Sequence, residues 1–265
     1  MDSAVRLDEA GEQRGVVVRD DEADFAGLRE ASSAGRRRGV RLRLVDTGKL
    51  TAVELEWLGQ AGAEIYTSDL TRRNLSEVVL ISRACRRGGS AASFFHHGPL
   101  EAEGAEGRVD AAALREMAGS GVYLALSDKE RPREPEALIP MAAAGRRGKS
   151  PMVYYHHRPV GPWLEGLARE GAWIHAAAPT PERDEDASGL RRTAAAAAES
   201  GQGLVLHVQG PVDPFRLEDL FAAGAYLVFE TPPADFRSPL RPLEERAARR
   251  LPGLRAGYLY REFMR

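Results

Sequence analysis

Phe94-Phe95-His96-His97-Gly98-Pro99 is echoed by Tyr154-Tyr155-His156-His157-Arg158-Pro159 and, more faintly, by Leu206-His207-Val208-Gln209-Gly210-Pro211. Self-similarity of this kind marks a chain assembled from copies of one supersecondary unit, each needing its neighbour to bury an apolar face. Four tandem units fit the echo, over 40–89, 90–149, 150–202 and 203–253. Each reads strand, helix, turn, strand, helix, turn. The first strands are expected at 41–46, 91–97, 152–157 and 204–209, the second at 64–69, 122–128, 173–178 and 226–231. All are short β-branched or aromatic runs bounded by turn residues.

Helices expected at 52–61, 111–118, 163–170 and 217–223 run into Gly62, Gly121, Gly171 and Gly224. A glycine there closes a helix in the left-handed conformation before a strand. Strict alternation of strand and helix demands parallel strands joined by right-handed crossovers. Eight such strands close into a (β/α)8 TIM-type barrel. The loops from strand to helix, at 98–110, 129–135, 179–188 and 232–239, are long and polar, and in a barrel they share the rim that carries function. Ahead of the units, Val16-Val17-Val18-Arg19-Asp20 and 25–35 add a strand and a helix. They are read as an N-terminal extension over 1–39, packed against a barrel over 40–265. Gly257-Tyr258-Leu259-Tyr260 carries a further strand pattern.

The echo makes His97, His157 and Gln209 equivalent, and likewise Phe95, Tyr155 and His207. Residues two apart share a strand face. His207 and Gln209 flank Val208, so their parity is read as the barrel interior, with His96, His156 and Val208 facing the helices. His97, His157 and His207 are therefore the expected ligands of a divalent metal, zinc, manganese or iron, because neutral imidazole suits those ions. Asp69, Asp128 and Glu230 end the second strands and are the expected acid–base carboxylates. Lys49 and Gln209 are the expected substrate contacts. Together these residues predict a metal-assisted hydrolase or lyase acting on a small polar molecule. The alternative is a non-catalytic barrel serving as a binding or assembly subunit, its interior plugged by Phe95, Tyr155 and Phe229.

With 265 residues, 43% of them hydrophobic, the chain can bury a full core. A net charge of −2 gives no global pull towards nucleic acid or anionic lipid. Arginines cluster at 36–38, 86–87, 146–147 and 249–250, where helix C-termini are expected and cations are stabilised; the interleaved aromatics of a nucleic-acid surface are missing. Cys85 is the sole cysteine, which rules out an intramolecular disulfide. The first fifteen residues are polar and acidic, unlike a secretory signal, and no apolar run approaches membrane-spanning length. A cytoplasmic setting is expected, and the oligomeric state is left open.

Overall fold

The computed structural model describes residues 15–100, 109–180, 186–230 and 238–250. Strand and helix alternate throughout: β1 (Gly15–Arg19), α1 (Phe25–Arg38), β2 (Arg41–Val45), α2 (Ala52–Ala61), β3 (Glu64–Ser68), α3 (Leu75–Arg87), β4 (Ala92–His96), α4 (Ala111–Gly119) and β5 (Tyr123–Ser127). Then come α5 (Pro135–Arg147), β6 (Val153–His156), α6 (Trp163–Arg169), β7 (Trp173–Ala177), α7 (Asp186–Ser200), β8 (Leu204–Val208), α8 (Pro214–Ala222), β9 (Tyr226–Phe229) and α9 (Arg241–Arg250). The strands form one sheet in sequence order, and each neighbouring pair is parallel. This is the (β/α)8-type architecture with one extra strand and helix at its start. That extra strand is part of the sheet itself: Gly15 to Arg19 pair in full register with Arg41 to Val45. The strand pattern at 257–260 lies outside the described residues.

Local chemistry explains where the helices begin and end. Thr51 opens α2 with a capping box, its hydroxyl accepting from the Glu54 amide while the Glu54 carboxylate accepts from the Thr51 amide. Asp24, Asn74, Asp110 and Asp213 cap α1, α3, α4 and α8 through side-chain oxygens. Gly62 closes α2 at φ 111° and Gly224 follows α8 at φ 113°, left-handed as expected. The arginine clusters do occupy last turns, and three of them also reach sideways to an adjacent helix. Arg36 donates to the Gln60 carbonyl of α2, Arg146 to Arg169 of α6, and Arg250 to Phe221 of α8. Each cation thus serves two helix C-termini, its own and its neighbour's.

Side-chain parity separates two apolar layers. Leu42, Leu44 and Ile65 pack with Leu28 of α1 and Leu55 and Leu58 of α2. Phe94, Leu124, Tyr154, Ile174 and Leu206 pack with helices α3 to α9. Val45, Tyr66, Phe95, Ala125, Val153 and Tyr155 pack on one another and on Tyr123 and Trp173, all of them strand residues, which makes them the inner face of the curled sheet. The expected parity holds: Phe95, Tyr155 and His207 point inward, and His96, His156 and Val208 stand on the helix side. Phe229 differs from expectation, because it alternates with inward Val228 and packs against the helix layer.

The observed strands stop one or two residues short of the expected C-terminal ends. His97, His157, Gln209, Asp69 and Asp128 all lie just beyond their strands. At two of these ends the reason is local: the Asp69 and Asp128 amides still donate to the Phe95 and Tyr155 carbonyls, but their carboxylates take the His97 and His157 amides that would continue the ladder.

Candidate functional site

The rim at the strand C-termini is held by a recurring carboxylate clasp. Asp20, after β1, accepts from the Thr47 amide and hydroxyl and from the Leu50 amide. Asp46, after β2, accepts from Thr67 and, through two bonds, from the Arg72 guanidinium. Both aspartates are buried and fully engaged with protein donors. Lys49, in the loop between them, is exposed and reaches the Ala23 carbonyl at 3.4 Å. This side of the rim is latched by structural bonds.

At the next two corners the clasp gains an imidazole. Ser68 pairs with Phe95 in the ladder, so Asp69 stands beside His96, and likewise Asp128 beside His156. Asp69 lies 2.8 Å from His96 Nδ1 and accepts from the His97 and Gly98 amides. Asp128 lies 2.6 Å from His156 Nδ1 and accepts from the His157 amide. Burial pushes both carboxyls up, but the imidazole and amide donors outweigh it; Asp69 falls to about 2 and Asp128 is lowered too. Ionised carboxylates and carbonyls accept only, so His156 carries its proton on Nδ1 and a lone pair on Nε2, whereas His96 Nε2, which faces the Pro99 carbonyl, carries a proton.

The two dyads then diverge. His96 Nε2 lies 3.3 Å from the Pro99 carbonyl, beside a cavity of only 30 Å³. Arg133 seals that corner, donating to the carbonyls of Ser127, Gly98 and His97. His156 Nε2 is buried and has no hydrogen-bond partner among the described residues. His156 lines a cavity of 120 Å³ with His157, Arg158, Val160, Ala176 and Ala177. Trp163 of α6 supports its ring edge-on at 5.6 Å. Arg158 is fixed at the cavity wall by a bond from Nε to the Asp128 carbonyl.

Each expected carboxylate therefore meets a histidine, but not around one point. Asp69 and Asp128 pair with His96 and His156 on the helix side. Glu230 lies 2.7 Å from His207 Nδ1 on the inner face. His97, expected inside, donates its amide to Asp69, and burial lowers its imidazole pKa. His157 is exposed at the mouth of the cavity, and Gln209 is exposed beyond β8. Among the described residues, no three His, Cys, Asp or Glu side chains gather as a metal would require. His97, His157 and His207 do not fit together as a zinc, manganese or iron site. Asp69 and Asp128, the carboxylates beside His97 and His157, are engaged by His96, His156 and backbone amides, and Glu230 is bonded to His207.

The sequence reading missed His96, His156 and His175. The available signal was the adjacency of the paired histidines. An aspartate one residue past a strand has the parity of the last histidine of the next strand, not of the residue after it.

No protein-family profile matches the sequence, and no curated protein sequence matches it. Among solved structures it is similar to the 3-dehydroquinate dehydratase of Aquifex aeolicus VF5, at 12% identity over 89% of this chain and 96% of that one, with a TM-score of 0.35. The HpcH/HpaI aldolase of Desulfitobacterium hafniense DCB-2 is similar at 15% identity over 92% and 86%, TM-score 0.34. A sugar phosphate isomerase/epimerase of Parabacteroides distasonis is similar at 10% over 94% and 97%, TM-score 0.29. Likeness at these scores assigns no reaction; the architecture rests on the strand order alone.

Proposed function

We propose that this barrel is an enzyme in which His156, oriented by Asp128, is the general base that removes a proton from a small anionic substrate in the cavity at the ends of β6 and β7. The observation that carries this reading is the bare Nε2 of a buried, carboxylate-held imidazole lining a 120 Å³ cavity. Asp128 fixes the tautomer and steadies the imidazolium that forms, the role a carboxylate plays behind any catalytic histidine. Arg158 on the wall supplies a planar cation suited to a carboxylate or phosphate. The cavity has room for about four waters, so the substrate is small. Proton removal of this kind belongs to lyase and isomerase chemistry and needs no nucleophile.

The test uses a panel of small 2-oxo and 2-hydroxy acids and their phosphate esters in deuterated water, with loss of carbon-bound proton signal followed by NMR. At least one compound is expected to exchange. His156→Gln should slow that exchange by about 100-fold or more, while His96→Gln, whose Nε2 faces the Pro99 carbonyl, leaves it intact. Exchange that survives His156→Gln sinks the assignment.

A second reading, the non-catalytic binding barrel, is favoured by Phe95 and Tyr155, which are buried together on the inner face. Under it no compound exchanges, and phosphate or acetate leaves the His156 resonances unmoved.

A further inference from the structure

A chain of three groups on β7, β8 and the end of β9 is not used by His156 and stands on the opposite face of the sheet. Glu230 Oε1 lies 2.7 Å from His207 Nδ1, and His207 Nε2 lies 3.0 Å from His175 Nδ1. The carboxylate accepts only, so His207 Nδ1 carries a proton and donates it. With a single proton on the His207 ring, Nε2 is then an acceptor, and the proton between the rings belongs to His175 Nδ1. A lone pair is left on His175 Nε2, an atom buried without a hydrogen-bond partner among the described residues.

The two ends of the chain differ in exposure. His175 is 5% exposed, with the Tyr155 ring 4.8 Å away. The side chains of His207 and Glu230 are 30% and 20% exposed. Burial holds the His175 imidazole well below its ordinary pKa and so keeps it neutral. An unpaired buried acceptor is unfavourable, and its persistence beside a solvent-linked chain points to a donor that belongs there.

We propose that Glu230, His207 and His175 form a proton relay whose inner end, His175 Nε2, is a second acid–base site, inside the barrel, for one hydroxyl donor: a water or the hydroxyl of a small alcohol. In the forward step the donor's O–H bond breaks and its proton bonds to His175 Nε2. The His175 Nδ1 proton passes to His207 Nε2, and the His207 Nδ1 proton passes to Glu230. The result is an oxyanion within, a neutral carboxylic acid at the rim, and both imidazoles neutral in the opposite tautomer. No electron changes hands. The relay does not depend on the His156 assignment, and its outcome is read from the His175 tautomer.

The experiment is two-bond proton–nitrogen correlation NMR on the full chain labelled with nitrogen-15 histidine. The wild type is expected to show His175 protonated on Nδ1 and bare on Nε2. Glu230→Leu removes the lock on His207, which then donates from Nε2, and His175 switches to the Nε2-protonated form although residue 230 does not bond to it. Should that variant lose the His96 and His156 resonances of the folded chain, His207→Phe replaces it, and the His175 proton is expected to spread over both nitrogens. Protonation of Nε2 in the wild type, or an unchanged His175 tautomer in the folded variant, overturns the relay. The Nε2 frequency identifies the donor. A hydrogen-bonded value in plain buffer assigns water, and one reached only with glycerol assigns an alcohol. A free value under both conditions overturns the site.

Discussion

One aspartate past a strand end performs two tasks in this barrel: it ties the next strand's backbone in place and it orients an imidazole. For Asp69 the two are coupled to pH. Its pKa in the folded chain is about 2, against an ordinary 3.8, because His96 and two amides outweigh burial. A depressed folded-state pKa means stability that is fully present above the unfolded value and lost as pH falls through the folded one. The stability of the wild type should therefore drop between about pH 4 and pH 2. Asp69→Asn should be weaker at neutral pH and should show a shallower acid limb, as read from urea midpoints across that range. An unchanged acid limb would remove Asp69 from the account. Much of this was legible in the sequence, since Asp69, Asp128 and Glu230 were all expected at the rim. The imidazoles beside Asp69 and Asp128 stand one residue before the expected His97 and His157, whereas Glu230 meets the expected His207; the decisive quantity is the register between neighbouring strands, and a single strand's pattern does not contain it.

Among the elements, close approach between consecutive helices sets the tolerance to change. A Cβ on Gly88, at the end of α3, would stand 2.1 Å from the Gly59 carbonyl oxygen of α2. A Cβ on Gly148, at the end of α5, would stand 2.6 Å from the Ala118 carbonyl oxygen of α4. Neither glycine has an unusual backbone, with φ at −75° and −73°, so the constraint is space alone. Gly88→Ala and Gly148→Ala should each cost about 1–3 kcal/mol through overpacking. Gly119→Ala, whose nearest new neighbour is 3.9 Å away, should be neutral or stabilise α4 by up to about 1 kcal/mol. Guanidinium denaturation midpoints of the three variants check the ranking, and equal values would mean the helix ends can separate at no cost. The glycines after the helices were predictable as left-handed caps, whereas Gly88 and Gly148 were not. Their reason is a neighbouring backbone, and that neighbour follows from the fold.

At the scale of the whole molecule, the open question is whether residues 1–39 are separable. The described part of that segment binds the rest in three ways. β1 covers the edge of β2 along its full length. Leu28 of α1 is buried against Leu42 and Leu44. Asp20 satisfies the amides of Thr47 and Leu50, the latter buried, in the loop that starts α2. Deletion would leave two amides without their acceptor, at about 1–3 kcal/mol for each one that stays dry, and would expose apolar surface on two leucines and an unpaired strand edge. A chain of 40–265 is thus expected to lose cooperative unfolding or to self-associate. Calorimetry and sedimentation on this fragment beside the full chain decide it. A monomeric 40–265 fragment with a sharp transition would show that eight strands suffice and that the first strand and helix are an addition. Asp20→Ala in the full chain isolates the mechanism: if the clasp matters more than edge coverage, it should reproduce most of the stability lost on deletion while the protein stays monomeric.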